Sequence, residues 1–275
     1  MKFIVKYTKL THQFFYLQNM SLWRPWCHKE YNDAWSKITG SLSRKEEKVI
    51  REFKDIISKP GKFNEIFDYI YNKEIFPLEK HVQEIFTITE KNFEKIWENI
   101  ENDLPKAKKN LEFLIAEYSE QIETAMKKLS IFYNSQKEIP LSTKIYLILF
   151  PKSIKSGGGK FGTYNNVVLE GNLKRFSQPI TIEVLLHEMV HLYFEDYLKT
   201  KIYPKFEKEI DYHPLKETIV ATLLPHGYLS KEIFNVALNQ TAKNYLIIQI
   251  AEDYIKSHKS IDDEFIKLCL EFIKK

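Results

Sequence analysis

The chain has 275 residues, 44% hydrophobic and 28% charged, with a formal net charge of +4. That supplies apolar material for one large domain or two smaller ones, and the small, scattered basic excess, without Lys/Arg clusters interleaved with aromatics, argues against a nucleic-acid-binding face. Residues 1–10 mix apolar and charged side chains instead of forming the apolar run of a signal peptide, and no stretch is long and apolar enough to span a membrane, so a cytoplasmic protein with no membrane partner is expected.

Residues 3–8 alternate with period two and predict a strand. The aromatic-rich stretches 14–17 and 23–28 read as core packing or as the wall of a cleft, core packing being the commoner fate of such residues. From about 43 to 134 the apolar spacing predicts several amphipathic helices. One covers 43–57, and another covers 62–76 with Pro77 as its stop. Thr87-Ile88-Thr89-Glu90 has the capping-box pattern and predicts a helix start, running to about Leu104; Pro105 then opens a longer helix to about Tyr133. Residues 136–140 read as a joint. It would separate a mostly helical part, 1–140, from a second part, 141–275, although one continuous domain is also compatible with the pattern.

Residues 143–150 are rich in β-branched and aromatic side chains and predict a strand. A loop containing Gly157, Gly158 and Gly159 follows, then a second strand over 164–170. The loop is no phosphate-binding P-loop, because Ile154 stands where the first glycine belongs and Phe161 follows Lys160. Beyond Tyr228 three helices are predicted, with Ser230, Thr241 and the run Ser260-Ile261-Asp262-Asp263 as their starts. The two cysteines, Cys27 and Cys269, stand far apart with no C-x-x-C pair; two buried thiols are expected, with a disulfide left open.

Between these segments lies His187-Glu188-Met189-Val190-His191, within an apolar run that predicts a buried helix entered through Pro179, with Ser177 or Thr181 as cap. In a helix, residues i and i+4 share a face, so His187 and His191 fall one turn apart, where two imidazoles can take adjacent corners of a zinc tetrahedron. Glu188 is then placed to act as general base on an attacking water. The bland alternative, a half-exposed helix whose histidines face water, fits poorly with such apolar flanks.

A catalytic zinc needs a third protein ligand. The metzincin continuation fails, because Phe194 and Tyr197 stand where Gly and His are required, and no Gly-Thr-x-x-Asp run follows. Residues 211–224 predict a second helix, with Pro214 at its start and its end before Pro225. Glu217 lies on it among apolar neighbours, a costly place for a carboxylate without a partner. Glu217 is the leading candidate; Asp211, His213 and His226 stay open as rivals.

His187-Glu188-Met189-Val190-His191 followed by Glu217 resembles the gluzincin branch of the zincin metallopeptidases, a likeness confined to about residues 143–228. The resemblance implies an α+β, predominantly helical, zincin-like fold, with a small mixed sheet packed on the motif helix and helical N- and C-terminal parts. It implies Zn2+ held by His187, His191 and Glu217, with Glu188 as base, and a peptide or protein substrate that adds a strand to the exposed edge of 164–170. Many gluzincins carry an Asp one turn after the third ligand; here position 221 is Ala. Tyr228 is the nearby candidate for steadying a tetrahedral oxyanion. The competing class is a binding or scaffold protein that keeps a closed, structural zinc site.

Overall fold

The computed structural model describes residues 1–22, 29–77, 79–135, 139–151, 158–161, 165–195, 197–206, 212–235 and 242–273. The expectations for 23–28, for Gln136, Lys137 and Glu138 of the joint, for Gly157, Tyr164, Asp211, Thr241 and Cys27 lie outside those residues, as does the side chain of His213. The fold is α+β and mostly helical, with one small sheet among the described residues. The contacts divide it into two compact units. One comprises Lys2–Phe113 with Ser142–Ser177; the other comprises Met1, Leu114–Leu141 and Gln178–Lys275. The boundary expected at 140/141 is therefore crossed by the sheet, because the first strand of the chain pairs with residues that follow the joint.

The sheet belongs to the first unit. Strands β1 (Lys2–Lys6), β2 (Ser142–Leu149) and β4 (Asn166–Gly171) run parallel, and β3 (Gly158–Phe161) lies antiparallel on the far side of β4, giving the order β1-β2-β4-β3. Residues 145–149 of β2 and 167–169 of β4 are all buried, the near-continuous apolar pattern of strands covered on both faces. Two expectations change here. Part of the glycine-rich segment is a strand, and β4 is internal, so it offers no free edge for an added peptide strand.

The rest of this unit is helical. Thr8 caps α1 (Lys9–Met20), which buries Phe14, Phe15, Tyr16 and Leu17 against α2 (Lys29–Thr39), α3 (Arg44–Ile57) and α5 (Lys80–Ile100). Neither α1 nor α2 was drawn from the sequence. Helix α3 starts at a complete capping box, in which the Ser43 hydroxyl accepts from the Glu46 N–H and the Glu46 carboxylate accepts from the Ser43 N–H. Helix α4 (Lys62–Phe67) passes into a π-helical turn (Asp68–Asn72) and stops short of 76.

The capping-box pattern at 87–90 is not a helix start; α5 runs through it. Thr87 and Thr89 donate their hydroxyls back to the carbonyls of Gln83 and Ile85, and Val82, Ile85, Phe86, Phe93 and Ile96 make one unbroken buried stripe. The long helix expected over 105–133 is two, α6 (Leu104–Glu117) and α7 (Ser119–Phe132), separated at Tyr118, whose φ of −99° and ψ of 17° leave the helical well.

In the second unit α8 (Ile180–Tyr193) packs on α7 and on α9 (Tyr212–Ala221); α12 (Asp263–Ile273) packs on α9; and α10 (Tyr228–Phe234) and α11 (Ala242–Lys256) pack on α7. Phe132 meets Phe265, and Tyr133 stacks on Phe194. Ser230 lies inside α10 rather than at its start, whereas Asp262 caps α12 by accepting the Phe265 N–H. Cys269 is a buried free thiol of α12, and burial raises its pKa to about 12. Among the described residues no helix is long and apolar enough to cross a membrane.

Candidate metal centre

Helix α8 is apolar almost all round. Ile182, Leu185, Leu186, Met189 and Val190 are fully buried, which makes it a core helix rather than a surface one. It begins without a side-chain cap, so Ser177 and Thr181 do not serve there; the Thr181 N–H bonds the Gln178 carbonyl instead. The 3.6-residue period then sets His187 and His191 on one face, their ring centroids 4.8 Å apart. Helix α9 buries Leu215, Ile219 and Val220 and turns Glu217 toward the same point.

The three side chains converge. His187 Nε2 lies 3.1 Å from His191 Nε2 and 3.3 Å from Glu217 Oε2, and His191 Nε2 lies 3.5 Å from Glu217 Oε1. Metal–ligand bonds of 2.0–2.2 Å in a tetrahedron separate neighbouring ligand atoms by about 3.3–3.6 Å. The observed spacings therefore fit a zinc-sized cation, and two imidazoles with one carboxylate are a zinc-type donor set. The site is graded in depth, with the His191 side chain 2% exposed, His187 14% and Glu217 38%.

Each imidazole is held from behind. The His187 Nδ1–H donates to the Leu224 carbonyl at 2.9 Å, and the His191 Nδ1–H donates to Glu195 Oε1. Both rings thus present Nε2 to the common point. Leu224 sits in the turn 222–227 that ends α9. That turn is drawn tight at Gly227, where a Cβ would lie 2.5 Å from the Leu223 backbone, and is tied to α8 by the His226 N–H donating to Glu183 Oε2 at 3.2 Å.

The electrostatics favour a cation. Burial disfavours the charge on Glu217, yet the two imidazoles beside it outweigh burial and hold its carboxyl far below the usual carboxylate range. Burial likewise opposes a charged His191, but the hydrogen bonds to Glu195 and Glu217 win and raise it to about 9. Glu195 is 1% exposed; burial pushes its carboxyl up, and the bond from His191 overrides that and pulls it down.

Of the residues singled out from the sequence, His187, His191 and Glu217 come together, and Glu188 is buried on the same helix. His226 contributes its backbone N–H, its side chain being exposed and outside the cluster. Tyr228 is buried on α10. Burial raises its pKa above the normal range, assisted by Glu232 and then Glu252, and no member of the cluster is among the charges acting on it. The sequence reading missed Glu195 and Glu183. Both were findable, because Glu183, His187, His191 and Glu195 are spaced four apart along one helical stripe. Compared with protein-family models, curated proteins and solved structures, the chain has no match.

Proposed function

We propose that this chain is a zinc-dependent hydrolase, a metallopeptidase of gluzincin type, with His187, His191 and Glu217 as zinc ligands and Glu188 as general base. The observation that carries the reading is the convergence of two Nε2 atoms and a carboxylate at tetrahedral spacing, one residue from a buried Glu in the H-E-x-x-H position. When bound, zinc supplies the Lewis acidity that brings a water's pKa near neutrality and polarises a carbonyl.

The chain's own residues do the rest. Each imidazole commits its Nδ1–H to a fixed acceptor and so turns its Nε2 toward the ligand position. Glu217 supplies the third donor and a negative charge. The Glu188 carboxylate takes a proton from the attacking water and returns it to the leaving amine of a peptide or protein substrate. Tyr228, buried on α10, is the nearby candidate for steadying the tetrahedral oxyanion. Among the described residues three ligands converge, with an exposed edge at Glu217, which favours the catalytic reading over a closed, structural zinc.

The test uses purified full-length protein and a quenched-fluorescence peptide library. About one zinc per chain is expected, together with hydrolysis that a chelator stops. Glu188→Gln should keep the zinc and lose about 10²–10⁴ in kcat/KM. Wild-type hydrolysis in that variant would sink the role given to Glu188.

A further inference from the structure

Position 221, where a gluzincin-type site would place an Asp to brace a ligand, is an exposed Ala at the end of α9. The carboxylate behind a ligand histidine comes here from the turn that directly follows α8. Glu195 stands one turn past His191 and accepts its Nδ1–H. We propose that Glu195 is the positioning residue of the metal centre, orienting the His191 ring and strengthening its Nε2 as a donor, and so setting the affinity for zinc. This rests on the metal-binding half of the reading above and not on peptide hydrolysis.

Three observations carry it. The His191 and Glu195 side chains are 2% and 1% exposed, so their bond is shielded from competing water, unlike a surface ion pair. The other carboxylate oxygen, Oε2, accepts no hydrogen bond but lies 3.3 Å from Lys199 Nζ, whose positive charge offsets that of the buried carboxylate. The two ligand histidines are also unequal. His187 leans on a neutral carbonyl and is the more exposed, whereas His191 leans on a buried carboxylate, and a charged acceptor makes the stronger hydrogen bond and the more basic imidazole.

The experiment takes full-length protein, zinc-free and zinc-loaded. Glu195→Gln should weaken zinc binding about 10- to 100-fold in a chelator competition while keeping its far-ultraviolet circular dichroism. In zinc-loaded wild type the Nδ1–H proton of His191 should resonate further downfield and exchange more slowly than that of His187, and in Glu195→Gln it should move upfield. A merely structural residue would leave that proton where it is. Wild-type affinity in Glu195→Gln, or a His191 proton no further downfield than that of His187 in the wild type, overturns the proposal; the second measurement needs no variant to fold. A wild type that takes up no zinc overturns both this and the metallopeptidase reading. One that binds zinc without cleaving peptides overturns only the latter.

Discussion

His12 donates its Nδ1–H to the Thr8 carbonyl at 2.8 Å and accepts the Leu149 N–H on Nε2 at 3.0 Å, deep in the sheet-containing unit. A ring used as donor on one side and acceptor on the other is neutral. Burial lowers its pKa to about 4, the Thr8 bond opposing this only in part. His191 is as deeply buried but faces two carboxylates and shifts the other way. The depressed His12 pKa has a consequence for stability. Above the unfolded value of about 6.5 the neutral ring contributes in full; as pH falls toward 4 the unfolded state takes up a proton that the folded state refuses, and about 3 kcal/mol is lost. His12→Gln removes that dependence. Urea unfolding at several pH values should show wild type ahead at pH 7 and the gap closing toward pH 4; a constant gap would contradict the neutral assignment.

At the scale of elements, the chain's local signals were trustworthy where one chemical device sufficed and misleading where packing competed. Ser43 and Glu46 cap α3 reciprocally, but the same pattern at 87–90 lies inside α5, because a stripe of buried side chains stabilises one continuous helix more than a capping box stabilises a new start. The turn 222–227 carries the carbonyl that holds His187 in the candidate metal centre. Gly227→Ala would set a Cβ against the Leu223 and Thr222 backbone, which has no freedom to withdraw. We expect about 1–3 kcal/mol of destabilisation. Zinc affinity should fall with it, because the Leu224 carbonyl behind His187 would move. A thermal melt and a zinc titration test this, and unchanged affinity would show that the carbonyl is dispensable.

For the whole molecule, the proposed zinc binding would be linked to folding of the unit that holds α8 and α9, because the three candidate ligands come from two helices 30 residues apart in sequence. Free zinc at about 100 times its dissociation constant should add about 2.7 kcal/mol to that unit's stability. Hydrogen exchange should show the gain in protection at α8, α9 and 222–227, while β1, β2 and β4 of the other unit keep their rates. Glu217→Gln should abolish most of the gain, and a gain of wild-type size in that variant would remove Glu217 from the ligand set.

What the sequence determined by itself is the part that depends on neighbours along the chain. The i, i+4 spacing of His187 and His191, the apolar flanks that bury their helix and the β-branched runs of β2 and β4 act over one or two turns or a few residues, so they are written where they act. Glu217 was legible as an expensive carboxylate on an apolar helix, and Glu195 was equally legible by spacing, though its 1% exposure was not. Tertiary structure alone decided the rest: that β1 pairs with β2 across 135 residues, that β3 covers β4, that α5 runs unbroken, and that the Leu224 carbonyl reaches His187. Those outcomes depend on which surfaces meet, and a surface far along the chain leaves no mark on local spacing.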